Sequence, residues 1–171
     1  PVRTQVSARG RWHGLQQFLI AEQGQGPVDG VRLEGIEEAR PTEAVLKAIE
    51  GAAAIMIGPS NPVISIGPIL AVPGLREALL ASTAPVLAVS PIVGGEVLKG
   101  PTEAMMEAAG APVNAAGIAQ LYEGLIGGLV TDEDCAIEGI EVTTAPTLMD
   151  SSQRRRDLAR TALSAADALS L

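Results

Sequence analysis

The sequence predicts an α/β fold: a three-layer, Rossmann-like arrangement with a mostly parallel sheet between flanking helices, preceded by an amino-terminal hairpin. Three observations predict it. Short, continuous apolar runs such as AAAIMI (52–57) and APVLAVS (84–90) are too short for helices and are bounded by Gly, Pro and Ser, as strands buried on both faces are. These runs alternate with segments of helical periodicity, a pattern that implies right-handed crossovers. Hydrophobic residues make up 47% of the chain and aromatics only 2%, so Ala, Val, Ile and Leu must build the core. With 171 residues the chain is one domain, long enough to bury about two-thirds of its unfolded surface. Its 19 glycines and 12 prolines are scattered, punctuating short elements without a linker or a repeat.

The elements follow in order. VRTQVSA (2–8) and WHGLQQFLIA (12–21), joined at Arg9-Gly10-Arg11, read as a hairpin with Trp12 and Phe18 among its buried residues. VRLEG (31–35) is a short strand. Pro41 stands near a helix start, and Val45, Leu46 and Ile49 give residues 42–49 an apolar face. After the strand at 52–57, residues 69–80 are helical with a restart at Pro73-Gly74. The strand at 84–90 empties into SPIVGGEVLKGP, read as a loop. Pro101 opens a helix that ends at Gly110, and Asn114 caps another over 115–125. LVT (129–131) and IEVTTA (140–145) are closing strands, and residues 151–169 form a long amphipathic helix capped by Ser151 or Ser152.

A formal charge of −8 excludes a general nucleic-acid binder, which needs a basic footprint to displace counterions. The basic run Arg154-Arg155-Arg156 is a solvated helix face or a local anion or partner site. No apolar stretch reaches the roughly 20 residues of a spanning helix, and no signal peptide is visible. A soluble chain without membrane contact, in the cytoplasm by default, is therefore expected. A single cysteine, Cys135, and a single histidine, His13, exclude an internal disulfide and make a zinc site untenable. Both residues read as structural, because neither has a companion of the Ser-His-Asp or Cys-His kind. Asp132-Glu133-Asp134 offers oxygens to a hard cation or is an exposed acidic turn. The chain opens Pro1-Val2 without Met, as a processed or trimmed piece would.

Two strand-end loops carry the functional signal. GPSNPVISIGP (58–68) is longer and stiffer than a connector needs to be. In α/β sheets ligands bind at the carboxyl ends of the strands, where small residues and helix amino termini expose backbone amides to anions. Ser60, Asn61 and Ser65 then supply donors and acceptors, and Gly67, with Gly58, permits close backbone approach. The alternative is an awkward strand-to-helix turn that Asn61-Pro62 initiates. In the second loop Ser90, Gly94, Gly95 and Lys99 place a cation beyond paired glycines. Lys99 is one of only two lysines in the chain, and the spacing is not that of a Walker loop.

IGPSNPVISIGPILAVPGLREAL (57–79) followed by AVSPIVGGEVLKGP (88–101) resembles the signature of the 2-phospho-L-lactate transferases of coenzyme F-420 biosynthesis. VRTQV (2–6), LQQFLI (15–20), the stretch from Gly117 to Tyr122 and TAPTLM (144–149) extend the resemblance over nearly the whole chain, in order. The resemblance implies magnesium-dependent transfer of a phospholactyl or phosphoenolpyruvyl group. The donor is a guanosine-diphosphate ester, the acceptor a deazaflavin, 7,8-didemethyl-8-hydroxy-5-deazariboflavin, and GMP leaves. Such chemistry needs phosphate clamps and charge neutralisation more than a covalent nucleophile. Members of that family are substantially longer and begin with a Gly-rich phosphate loop and metal-holding carboxylates. Residues 1–171 therefore correspond to the carboxyl-terminal part only, magnesium ligands are expected in the missing amino-terminal part, and no metal ligand or catalytic residue is assigned here. Alone, the chain is expected to be inactive. A homodimer is compatible with the sequence. Two other readings stand beside this one: a related regulatory protein that binds a uridine-diphosphate sugar without transferring it, and an α/β scaffold fragment with no ligand. GPSNPVIS, and SPIVGG ahead of Glu96, favour the transferase.

Overall fold

The computed structural model, which describes residues 1–98 and 100–169, divides its strands between two sheets and a small hairpin. The first sheet is antiparallel and holds β1 (Arg3–Ala8), β2 (Arg11–Gly14) and β3 (Val28–Glu34) in the order β2-β1-β3. Arg9 and Gly10, with φ of 52° and 71°, make the two-residue turn between β1 and β2, as a primed hairpin turn requires.

The second arm of this hairpin is shorter than expected. LQQFLI forms helix α1 (Leu15–Ile20) instead of continuing as a strand. Leu15, Phe18 and Leu19 stand at i, i+3 and i+4, so a helix gathers all three against Val6 and Ala8, whereas strand alternation would split them between faces. Trp12, expected inside, is 46% exposed. Register explains it: Trp12 pairs with Ser7 while His13 pairs with Val6, and cross-strand partners share a face. Trp12 thus points outward, its ring 4.3 Å from the Arg32 guanidinium carbon.

The second sheet is parallel throughout: β4 (Ile55–Ile57), β5 (Val86–Val89), β8 (Gly128–Thr131) and β9 (Glu141–Thr144), in the order β4-β5-β8-β9. Along β5, Val86 and Ala88 join a core with Leu75 and Leu79 of α4 (Leu75–Ala81) and Ile118 of α6 (Ala115–Leu121). Leu87 and Val89 face the other way, onto Leu158 and Ala162 of α7 (Ser152–Ala168). β8 divides likewise, Leu129 to the first core and Val130 to the second. Helices on both faces make every position of these strands apolar, and this is the three-layer order that the sequence predicts. A third core joins the antiparallel sheet and α1 to Met105 of α5 (Thr102–Ala108).

Local chemistry sets the helix ends. Thr42 caps α2 (Glu43–Glu50) by accepting from the Val45 N–H, Asn114 caps α6 through Gly117, and Ser151 caps α7 through Arg154. The expected helix at 69–80 begins earlier, as a π-helical turn (Pro62–Ile66) running into α3 (Gly67–Leu70), and it restarts as α4 after Gly74 at φ 89°. SPIVGGEV is not a plain loop. It folds as the hairpin β6 (Ile92–Val93) and β7 (Glu96–Val97), with Gly94 and Gly95 at φ 62° and 77° as its two-residue turn. No single described helix is long and apolar enough to cross a membrane.

Candidate functional site

β4 and β5 are adjacent and parallel, so the segments that leave them emerge at one edge of the sheet. There the first loop, the second loop and the segment 147–150 after β9 enclose a cleft of about 660 Å³. Ser60, Asn61 and Ser65 border it from one side, Ser90, Pro91 and Val93 from another, and Thr147 through Asp150 from a third. Leu19 of α1 and Thr102 of α5 complete the walls.

The Asn61 side chain builds the first loop. Its Oδ1 accepts from the Val63 and Ile64 N–H groups at 2.9 and 3.0 Å, and its Nδ2 donates to Thr102 Oγ1 at 3.1 Å. Both ends of the amide are thereby used within the chain. Ser60 and Ser65 are exposed, and their hydroxyls are engaged by no described residue. In the second loop, Ser90 is fully buried, and its Oγ accepts from the Ile92 N–H at 3.1 Å, fixing the exit from β5. Gly67 lies behind the loop rather than at the cleft. It opens α3, where a Cβ would stand 3.0 Å from the Pro62 carbonyl oxygen, so its missing side chain serves the close turn and not approach to the cleft. Gly95 completes the hairpin turn and borders no cavity of this edge. Lys99 lies outside the described residues. No described Arg or Lys borders the cleft, and its one carboxylate, Asp150, pairs with Arg154 at 3.5 Å.

A second cavity of about 450 Å³ adjoins the first and shares Val93, Thr147 and Leu148 with it. Gly94, Asp132 and Arg154 are among its lining residues. The acidic stretch after β8 is thus not a simple exposed turn. Asp132 Oδ2 accepts from the Gly94 N–H at 2.7 Å, and Glu133 Oε1 accepts from the Ala115 N–H at 2.9 Å at the start of α6. No three His, Cys, Asp or Glu side chains gather to hold a metal among the described residues. Cys135 packs partly buried against the first core; burial pushes its thiol pKa up, and the Glu133 and Asp134 charges push it further. The remaining arginines of the triplet lie on the solvated face of α7, Arg156 donating to Gln153 at 3.2 Å.

Sequence reasoning misses Thr102, Thr147 and Asp150 as parts of this edge. Of these, only the TAPTLM motif marked a position in advance, as a family likeness without a role.

Comparison with known proteins adds the following. Residues 1–165 match the family described as 2-phospho-L-lactate transferase CofD. A 2-phospho-L-lactate transferase of Methanosarcina mazei is 40% identical over 167 residues, covering 93% of this chain and 54% of that protein. A phosphoenolpyruvate transferase of Kitasatospora aureofaciens is 41% identical over 161 residues, covering 90% of this chain and 50% of that protein. The chain thus spans about half the length of the curated relatives it matches. Among solved structures, a Bacillus halodurans protein described as a member of the upf0052 family superposes with a TM-score of 0.65 at 14% identity, covering 95% of this chain and 59% of that one. At that identity the likeness shows the fold.

Proposed function

Since this chain belongs to the 2-phospho-L-lactate transferase family, we propose that the complete protein transfers a phospholactyl or phosphoenolpyruvyl group from a guanosine-diphosphate ester to 7,8-didemethyl-8-hydroxy-5-deazariboflavin. The terminal ribitol oxygen of the acceptor bonds to the phosphorus that carries the transferred ester. The bond from that phosphorus to the bridging oxygen breaks, GMP leaves with that oxygen, and the hydroxyl proton passes to a base or to solvent. The observation that carries this reading is the convergence of Ser60, Ser65, Ser90 and the 147–150 segment on one cleft at the carboxyl edge of a parallel sheet.

What residues 1–171 supply in this reaction is binding and orientation. Ser60 and Ser65 present free hydroxyls to the diphosphate, while Asn61 and Ser90 hold the two loops in shape. Magnesium, when bound, would neutralise charge on the phosphates. The described residues do not fit it, since Asp150, the one carboxylate at the cleft, is already paired. We place its ligands in the part of the family's sequence that this chain does not span.

The test is calorimetric titration of the chain with GDP, together with an assay for GMP release from donor, deazaflavin and magnesium. GDP should bind and no steady turnover should appear. Ser60→Ala and Ser65→Ala should each weaken GDP by about 0.5–1.5 kcal/mol, or more if the partner is a charged phosphate, without lowering Tm. Tighter binding of UDP than of GDP would favour a uridine-diphosphate sugar regulator, and binding of no nucleotide would leave only a scaffold. Steady turnover would show that the metal site lies within residues 1–171.

A further inference from the structure

Two buried polar atoms find no hydrogen-bond partner among the described residues, Asp132 Oδ1 and Thr147 Oγ1, and both residues line the smaller cavity beside the cleft. Thr147 is 3% exposed. A buried polar group left without a partner is costly, and native proteins keep few of them. Two on one cavity call for a ligand that answers both.

Their chemistry restricts that ligand. The Asp132 carboxylate is held in place through Oδ2 by the Gly94 N–H at 2.7 Å, so Oδ1 remains as an acceptor that needs an N–H or O–H donor. A carboxylate repels a phosphate, which leaves phosphates to the neighbouring cleft. Too few oxygens gather for a cation. Val93, Pro146 and Leu148 give the cavity apolar walls that suit a flat ring, and the 450 Å³ volume holds one. The Thr147 hydroxyl can donate or accept, and the Arg154 guanidinium at the rim only donates.

We propose that Asp132 and Thr147 form a base-reading site for the edge of a guanine. Guanine presents N–H donors from its ring nitrogen and its 2-amino group side by side, next to the O6 acceptor. The donors match Asp132, and the acceptor matches Thr147 or Arg154. Adenine turns an acceptor ring nitrogen toward the carboxylate, and uracil offers one N–H between two carbonyls. A site with buried polar groups discriminates against ligands that leave them unpaired. The inference rests on the donor reading above: the shared lining residues Val93, Thr147 and Leu148 let one nucleotide place its phosphates in the cleft and its base in the cavity.

The experiment is calorimetric titration of the chain and its variants with GDP, IDP, ADP, UDP and XDP, with Tm measured for each variant. The wild type should bind GDP more tightly than IDP, and IDP more tightly than ADP or UDP. Asp132→Asn should weaken GDP roughly tenfold to a hundredfold, the effect of losing a charged hydrogen bond. It should also strengthen XDP, because the new amide donates to the 2-carbonyl of xanthine. That gain cannot come from a misfolded variant. Thr147→Val, which removes an unsatisfied hydroxyl at nearly constant volume, should weaken GDP without lowering Tm. Binding of GDP with no preference over IDP, ADP and UDP, or with Asp132→Asn unchanged toward GDP and XDP, overturns the base-reading site while the donor reading stands. Binding of no nucleotide overturns both.

Discussion

Replacing Asn61 by Ala tests whether the first loop is held by one amide. The substitution removes the acceptor that satisfies the Val63 and Ile64 N–H groups at the start of the π-helical turn, at 2.9 and 3.0 Å. Loss of an N-cap of this kind costs about 1 kcal/mol. The donor to Thr102 Oγ1 at 3.1 Å goes too, and a net hydrogen bond contributes about 1 kcal/mol more. The sum is about 2 kcal/mol, which in a domain of this size is a fall in Tm of roughly 4–8 °C. Asn61→Asp keeps the cap, and its second oxygen can accept from the Thr102 hydroxyl, so it should lose less than half as much. Thr102→Val isolates the tether, and a double-mutant cycle with Asn61→Ala should give a coupling of about 0.5–1.5 kcal/mol. Chemical denaturation of the four proteins supplies every quantity. A Tm for Asn61→Ala within about 1 °C of wild type, or zero coupling to Thr102, would refute the view that this amide fastens the loop to α5.

Two further outcomes follow from packing and burial. Gly117→Ala adds a Cβ 1.7 Å from the Pro112 carbonyl oxygen and 2.8 Å from its carbon. Helix propensity alone would favour Ala by about 1 kcal/mol, but the clash is with backbone, so a net loss of about 3 kcal/mol or more is expected; a Tm at or above wild type would show that the 112–117 segment yields freely. Tyr122, the chain's one tyrosine, has its phenol pushed well above the ordinary value by burial. The folded state then holds the phenolic proton more tightly than the unfolded state. Stability from this group is complete below the unfolded pKa of about 10 and falls by up to about 1.4 kcal/mol per pH unit above it. Absorbance at 295 nm should show no ionisation near pH 10 in the native protein and full ionisation there in denaturant, and a native transition near 10 would mean that water reaches the ring.

The sequence by itself determined whatever depends on neighbours along the chain. The apolar run at 84–90 is the central strand β5 because helices cover both faces, and Asn114 and Ser151 cap α6 and α7 as their residue types and positions require. That the segments after β4 and β5 open at one edge was also legible, since parallel neighbours must empty the same way. The hairpin at Gly94-Gly95 escaped because two-residue strands carry no alternation to recognise. Tertiary structure alone decided the rest. Trp12 faces outward because of the register of β2 on β1, and LQQFLI is helical because a core is present for Phe18 to enter. The candidate site joins Asn61 to Thr102 and Gly94 to Asp132, pairs separated by 41 and 38 residues. Such contacts depend on how strands and helices stack, and a residue's local periodicity contains no information about a partner that only packing brings within 3 Å of it.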